Sequence, residues 1–193
     1  MKRFISILSV ALLLSAAVFA QDSDGDVYDD GYVYEQNGAG DRFVKIDLGG
    51  NFALNFGNQL YPGIAANVGY YYLLSRYFGV GGDVTIGYNY SIGQKPLTAV
   101  PVTVGGLFQP YTGKFEFPIM LTVGFASTTL LDKTYFPSFA AKFSAGAYYR
   151  ISETWSFGLS SNTYFIPHWF IDEPDKNDFG IFTSANLSVR YHF

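Results

Sequence analysis

The amino-acid sequence predicts an all-β fold in which eight antiparallel strands close into an up-and-down transmembrane β-barrel. Two observations of composition and pattern support this prediction. Only 15% of the 193 residues are charged although 49% are hydrophobic, whereas a soluble domain carries about 25% charged residues. From residue 43 onward, apolar residues alternate with small polar ones, which is the period of strands with two chemically different faces.

Charge is distributed unevenly along the chain. Residues 21–41 carry seven acidic and no basic side chains, whereas residues 42–193 are nearly neutral, with ten basic and nine acidic side chains. The formal net charge of −4 argues against a nucleic-acid partner. Because the sequence has no cysteine, a disulfide scaffold, a cysteine-ligated metal site and a thiol nucleophile are all excluded.

The first 20 residues have the pattern of a secretory signal peptide. Lys2 and Arg3 precede an apolar run over residues 4–19, and Val18 and Ala20 supply the small residues of a cleavage site. The run is shorter than the roughly 20 apolar residues that a membrane-spanning helix requires. We therefore expect a cleaved signal rather than a retained N-terminal anchor, and export to the outer membrane.

Residues 21–41 are predicted to form an acidic, flexible periplasmic tail. The segment is rich in Asp and Gly, lacks periodicity and has no basic residue to offset its self-repulsion. Residues 22–26 resemble the start of a calcium loop, but Val27 and Val33 stand where that loop needs glycine and glutamate. We expect a solvated tail and no metal site.

Residues 42–193 are predicted to form the barrel. In the first strand Val44, Ile46 and Leu48 share one face, and Lys45 and Asp47 share the other. Seven more segments alternate in the same way, beginning near residues 64, 79, 100, 114, 138, 155 and 180. Tight turns near 75–77, 110–113 and 151–154 alternate with loops near 57–63, 93–99, 127–137 and 166–178, as in an array of hairpins with one confined end.

The composition of the two faces favours a membrane barrel over a soluble barrel or sandwich. The polar face consists mostly of Gly, Ser, Thr, Asn and Ala, which is a poor surface for water, and the apolar face carries no charge over five or six successive positions. Aromatic residues gather at both strand ends, as expected of rings at two membrane interfaces. The apolar face is therefore predicted to contact outer-membrane lipid.

The last strand carries a terminal motif. Residues 186–193 place aromatic Tyr191 and Phe193 at the antepenultimate and final positions, with Ser188 where a glycine is usual. With the signal peptide and eight strands, the chain after Asp41 resembles the small bacterial outer-membrane barrels: the OmpX/OmpW-like and opacity-like families and the OmpA transmembrane domain. The resemblance implies that Tyr191 and Phe193 are read by the barrel assembly machinery, but it does not supply an activity.

The polar face contains a small set of charged residues that we predict to line the lumen. They are Lys45, Asp47, Asp83, Lys114, Glu116, Lys142, Arg150 and Arg190, with His192 beside them. An eight-stranded barrel is just wide enough to be filled by side chains, so these charges must pair or stay hydrated. Either they form an occluding polar plug, or they line a narrow aqueous path. The loop half of the lumen is predicted to hold Asn, Ser, Gly and Tyr, which leaves open a conduit for small apolar molecules.

No constellation points to catalysis or to a cofactor. His168 and His192 are predicted to lie far apart along the barrel axis, without a serine at the spacing that a lipid-editing barrel requires. The acidic run at 172–178 is expected to be a solvated loop. Gly79, Gly81 and Gly82 lie inside a strand with no helix after them, so they predict strand bending or close packing rather than nucleotide binding.

The loops are the remaining place for recognition. They are unusually apolar, and Tyr61, Phe136 and Trp169 are the candidate recognition residues. These rings either cap the barrel mouth against the outer leaflet or form a patch for an extracellular or host partner. The leading hypothesis is a monomeric, non-enzymatic structural or surface-interaction protein with an occluded lumen. A narrow channel for small or apolar solutes is the alternative, and a lipid-modifying enzyme is the third candidate.

Overall fold

The computed structural model describes residues 37–55, 59–130, 133–168 and 178–193, and within them the chain forms one antiparallel barrel. The eight long strands are β1 (Arg42–Ala53), β2 (Gly63–Leu73), β3 (Phe78–Tyr90), β4 (Pro96–Phe108), β5 (Ile119–Leu130), β6 (Lys133–Arg150), β7 (Trp155–His168) and β8 (Asp178–His192). The predicted signal peptide, residues 21–36 of the predicted tail and residues 172–177 of the predicted acidic loop lie outside the described residues. Across the described part of the chain, no helix is long and apolar enough to cross a membrane.

The sheet closes on itself through its first and last strands. Each strand pairs with the next along the chain, and β1 pairs with β8 from Phe43 opposite His192 to Ala53 opposite Phe182. Closure leaves no unpaired edge, which is what a sheet surrounded by hydrocarbon requires because lipid offers no hydrogen bonds. The predicted fold class, an eight-stranded antiparallel up-and-down barrel, is confirmed.

Two short segments continue the β4–β5 hairpin beyond the long strands. Tyr111–Thr112 pairs with Phe115–Glu116 in the same register that joins Phe108 to Ile119. Pro110 and Pro118 interrupt the two strands, because a proline has no N–H to donate to the ladder. The hairpin turns at Gly113, whose positive φ of 51° suits a residue without a Cβ.

The two faces of the barrel wall have opposite polarity, as the sequence predicts. Along β1, Ile46 and Leu48 expose 54% and 63% of their surface on the outside, whereas Lys45 and Asp47, which alternate with them, are buried in the lumen. The same alternation runs through the other strands, so the barrel carries its apolar surface outward and its charged groups inward.

The β5–β6 hairpin is longer than predicted, and the loop expected over 127–137 is wrong. β5 continues to Leu130 and β6 begins at Lys133, with a register shift between Ala126 and Thr128. Thr129 and Thr134 lie across this extension with their hydroxyl oxygens 3.1 Å apart. β-Branched threonines favour strands over loops, which accounts for the additional pairing.

Residues 37–41 also differ from the expectation of a flexible tail. Asn37 is buried inside the barrel, at the end where the short turns lie, which we call the short-turn end; the opposite end is the loop end. The backbone of this segment is tied to β2, since the Gly40 N–H donates to the Leu73 carbonyl and the Leu73 N–H donates to the Asp41 carbonyl, each at 2.8 Å.

Candidate functional site: the lumen

The middle of the lumen holds two buried ion pairs. The Lys45 ammonium lies 3.0 Å from an Asp47 carboxylate oxygen, and the Lys142 ammonium lies 2.7 Å from an Asp83 carboxylate oxygen. All four side chains are almost completely buried. Strands β1, β3 and β6 supply them from three sides, because alternate residues of every strand point into the same narrow lumen.

Hydroxyl and amide groups also donate hydrogen bonds to the two aspartates. Asp83 accepts hydrogen bonds from the Tyr71 hydroxyl at 2.8 Å and the Thr103 hydroxyl at 3.1 Å. Asp47 accepts one from the Ser188 hydroxyl and one from the Asn162 amide. A buried charge is tolerated only when it is paired and hydrogen-bonded, and both carboxylates meet that condition.

A second charged group closes the short-turn end of the lumen. Glu116 lies between two guanidinium groups, 2.9 Å from Arg150 and 3.3 Å from Arg190. Gln109 joins them, because its side-chain amide donates to Glu116 at 3.3 Å and its carbonyl oxygen accepts from Arg190 at 3.1 Å. We call this group, together with the two central ion pairs, the lumen network.

Aromatic rings pack against the cations of the lumen network. The Arg190 guanidinium lies 3.5 Å from the centre of the Tyr148 ring and 4.7 Å from that of Phe43, which stabilises a desolvated cation. Inward glycines make room for such rings. A Cβ at Gly81 would lie 2.2 Å from a Tyr71 ring carbon, and one at Gly146 would lie 2.7 Å from a Tyr148 ring carbon. The expectation that the glycine cluster at 79–82 permits close packing agrees with this geometry.

The loop half of the lumen is more apolar than the sequence predicts. Asn51 donates to Asn89 at 2.8 Å, and the Thr85 and Tyr164 hydroxyl oxygens lie 2.8 Å apart. Beside these polar groups lies a buried apolar cluster, which consists of Leu97, Ala99, Ala126, Ala140, Tyr164, Ile166 and Phe182. The cavity between them has a volume of about 10 Å³, room for a single water molecule.

The structure brings together all but one of the charged residues predicted to line the lumen. Lys114 is the exception and corrects the prediction: it lies exposed in the turn between Thr112 and Phe115. The alternation of the strand would point it inward, but the chain reverses there and leaves its long side chain outside the barrel. The described lumen therefore holds four cations, Lys45, Lys142, Arg150 and Arg190, and three carboxylates.

The terminal aromatic residues point away from the lumen. Tyr191 and Phe193 are exposed on the outer face, and the Tyr191 ring packs edge-on against Trp155 with 5.0 Å between ring centres. The Phe193 N–H donates to the Arg42 carbonyl at 3.0 Å, which fixes the end of the chain against β1.

The predicted recognition residues have different positions. Tyr61 exposes 54% of its surface, and its carbonyl oxygen accepts a hydrogen bond from the Asn89 side chain. Phe136 exposes 65% and packs against Phe125 on the outer face, with ring centres 6.1 Å apart. Its position is that of an aromatic residue at a membrane interface. Trp169 lies outside the described residues.

One pair was missed from the sequence. The Ser156 hydroxyl and the His192 ring nitrogen Nε2 lie 2.9 Å apart at the short-turn end, so the expectation that no serine is spaced to pair with a histidine is wrong for His192. The register that sets Arg190 opposite Ser156 places His192 diagonally across from it, a relation visible only once the strands are aligned. Both side chains are buried. Among the described residues, no cluster of three or more His, Asp or Glu side chains is placed to hold a metal ion.

Sequence comparisons place the chain in a family. A protein-family model matches residues 21–191. Two uncharacterized proteins of Treponema pallidum (strain Nichols) are similar to it: one is 28% identical, covering 83% of this chain and 80% of the relative, and the other is 26% identical over 76% of this chain. The chain spans only 55% of the second relative's length.

Three solved structures are similar to the barrel. Neisserial surface protein A has a TM-score of 0.66 at 12% identity, covering 79% of this chain and 97% of that one. OprG from Pseudomonas aeruginosa has a TM-score of 0.52 at 12% identity (83% and 99% covered), and Ail of Yersinia pestis one of 0.52 at 15% identity (80% and 99% covered). The chain belongs to the family that the matching model describes, and its fold is that of the small eight-stranded outer-membrane β-barrels.

Proposed function

We propose that the protein is an integral outer-membrane barrel with a structural or surface-interaction role, an occluded lumen and no enzymatic activity. The observation that carries this proposal is the lumen network: three carboxylates pair with four cations inside the barrel, and the cavity in the loop half of the lumen has a volume of about 10 Å³. A conducting path needs a continuous column of water, whereas a cavity of this size holds one molecule.

The energetics of the lumen network also support a closed lumen. Removing one partner from a buried pair leaves an uncompensated charge and costs about 3–5 kcal/mol. Lys45 and Lys142 each face an aspartate at 3.0 Å or less. The Lys142–Asp83 pair joins β6 to β3, so opening the middle of the lumen would require this pair to separate together with the hydrogen bonds that Asp83 accepts from Tyr71 and Thr103. We infer that the network is a structural element of the barrel and not a gate.

The outer face supports the proposed location. Its exposed aliphatic side chains lie between aromatic residues at both strand ends, including Phe125 and Phe136 at the loop end and Trp155, Tyr191 and Phe193 at the short-turn end. In this proposal the chain is exported with a cleaved signal over residues 1–20, and the assembly machinery recognises the last strand. The short-turn end faces the periplasm, and Tyr61 is presented outward for a partner.

Two further candidates remain as alternatives. The apolar cluster at the loop end favours a narrow channel for small or apolar solutes, because its side chains would offer such molecules an apolar entrance. A lipid-modifying enzyme would have Ser156 and His192 as its candidate residues, but both are buried beneath the wall of the barrel. Altered lipid A in cells that overexpress the protein would support this third candidate.

Proteoliposomes test the proposal. Folded protein, verified by heat-modifiable migration in detergent gels, is reconstituted into vesicles that carry potassium and chloride gradients. We expect both gradients to decay at the rate of protein-free vesicles, because in this proposal the lumen network fills the path that ions would take. Decay that rises with the amount of folded protein, and that changes when Lys142 or Arg150 is replaced by alanine, would overturn the proposal and support a channel.

A further inference from the structure

The segment that precedes β1 enters the barrel and contacts the lumen network. Asn37 is buried at the short-turn end, where its side-chain oxygen accepts a hydrogen bond from the Arg150 guanidinium at 3.2 Å and one from the Gln109 amide at 3.4 Å. The sequence gives no sign of this contact, because Asn37 lies next to glycines in a polar stretch without periodicity.

A compact turn holds Asn37 in this position. The Gly38 N–H donates to the Asp41 carboxylate at 2.7 Å, and Gly40 has a φ of 101°, in the region that favours glycine. The two backbone hydrogen bonds with Leu73 fasten the turn to β2. The chain therefore reverses direction within five residues and inserts the Asn37 side chain into the barrel mouth.

From this geometry we propose that residues 37–41 form a latch that closes the short-turn mouth of the barrel, with Asn37 as the closing residue. The latch lies over Arg150, Gln109 and, through Gln109, Glu116 and Arg190. It separates the charged end of the lumen from the aqueous phase beyond the short turns. The inference goes beyond the proposed function, because the latch can close this mouth whether or not the centre of the lumen conducts.

The chemistry of Asn37 provides two matched variants. Its amide nitrogen makes no hydrogen bond to any described residue, whereas its oxygen makes both contacts. The variant Asn37→Asp keeps the oxygen, loses no hydrogen bond and adds a negative charge beside Arg150, so the latch stays closed. The variant Asn37→Lys removes the acceptor and places a cation next to Arg150, so the latch opens.

Cysteine labelling measures the position of the latch directly, because the chain contains no cysteine. Ser156→Cys reports on the buried short-turn end, and Ser144→Cys reports on the buried middle of the lumen. The Ser144 hydroxyl makes no hydrogen bond to any described residue, so its replacement removes none. A water-soluble maleimide is added to each full-length variant in lipid vesicles, after heat-modifiable migration has shown that the barrel is folded.

We expect the maleimide to label Ser156→Cys slowly when residue 37 is Asn or Asp. In the Asn37→Lys background we expect labelling to be at least tenfold faster. Ser144→Cys is expected to stay protected in all three. Equal rates at Ser156→Cys in all three backgrounds would overturn the latch. If Asn37→Lys does not fold, Asn37→Ala takes its place. We then expect a smaller increase in the labelling rate of Ser156→Cys, and an unchanged labelling rate would contradict the proposal. Rapid labelling of Ser144→Cys in the unaltered background would instead contradict the proposed closed lumen, so the two failures are distinguishable.

Discussion

The inner and outer faces of the same strands follow opposite rules. Along β6, Lys142 points inward with its ammonium 2.7 Å from an Asp83 carboxylate oxygen, whereas its neighbour Phe143 points outward and exposes 48% of its surface. Each of these inward polar groups requires a particular partner at hydrogen-bonding or ion-pair distance. Outward groups need only be apolar, because hydrocarbon offers neither hydrogen bonds nor competition for them.

This difference predicts where the barrel tolerates change. A substitution on the inner face leaves a buried charge without its partner or removes the space that a ring occupies. An apolar substitution on the outer face exchanges one lipid contact for another. Matched pairs of variants, one from each face, therefore test whether the two faces differ in this way.

The largest effect is expected for Lys142→Ala. It leaves Asp83 buried without its cation, which lowers the free energy of unfolding by about 3–5 kcal/mol. The neighbouring outward change Phe143→Leu is expected to cost less than about 1.5 kcal/mol. Urea unfolding in lipid vesicles, followed by tryptophan fluorescence, measures both.

A double variant separates charge from volume at the same site. Combining Lys142→Met with Asp83→Asn removes both charges and retains similar volumes, so we expect most of the lost stability to return. A double variant as unstable as Lys142→Ala would show that the ion pair is not the cause.

A smaller effect is expected for Gly81→Ala. The added Cβ would lie 2.2 Å from the Tyr71 ring and 2.5 Å from the Tyr70 carbonyl oxygen, which we expect to cost about 1–3 kcal/mol through overpacking. Gly106→Ala on the outer face is the control, because its Cβ would meet no atom within 4 Å. Equal unfolding free energies for the two variants would contradict the close packing of Tyr71 on the inner face.

The sequence predicts most of the barrel because the period-two pattern is strong. Alternation fixes which residues share a face, and the absence of charge at positions such as Ile46 and Leu48 indicates which face meets lipid. The inward position of Lys45, Asp47 and Asp83 follows from parity alone. Such properties depend on neighbours along the strand, which the sequence displays directly.

Which side chains pair inside the lumen depends on the stagger of the strands, and a single sequence does not display that stagger. Which carboxylate meets which cation is set by the stagger of the strands around the barrel, so the pairing of Asp83 with Lys142 and of Ser156 with His192 emerges only from the closed sheet. Lys114 is wrongly predicted to line the lumen, because the alternation of the strand predicts an inward side chain at a position where the chain turns. Asn37 could not be predicted, since a single polar residue in a loop carries no periodic signal.

The apolar face of the barrel contacts hydrocarbon, and a fluorophore on that face reports whether it does. Because the chain has no cysteine, Leu48→Cys can be labelled alone, midway along β1 and among the most exposed outward positions. In vesicles we predict that lipids brominated in their acyl chains quench the fluorophore and that aqueous iodide does not. Quenching by iodide, without quenching by brominated lipid, would place this face in water and contradict its contact with the membrane.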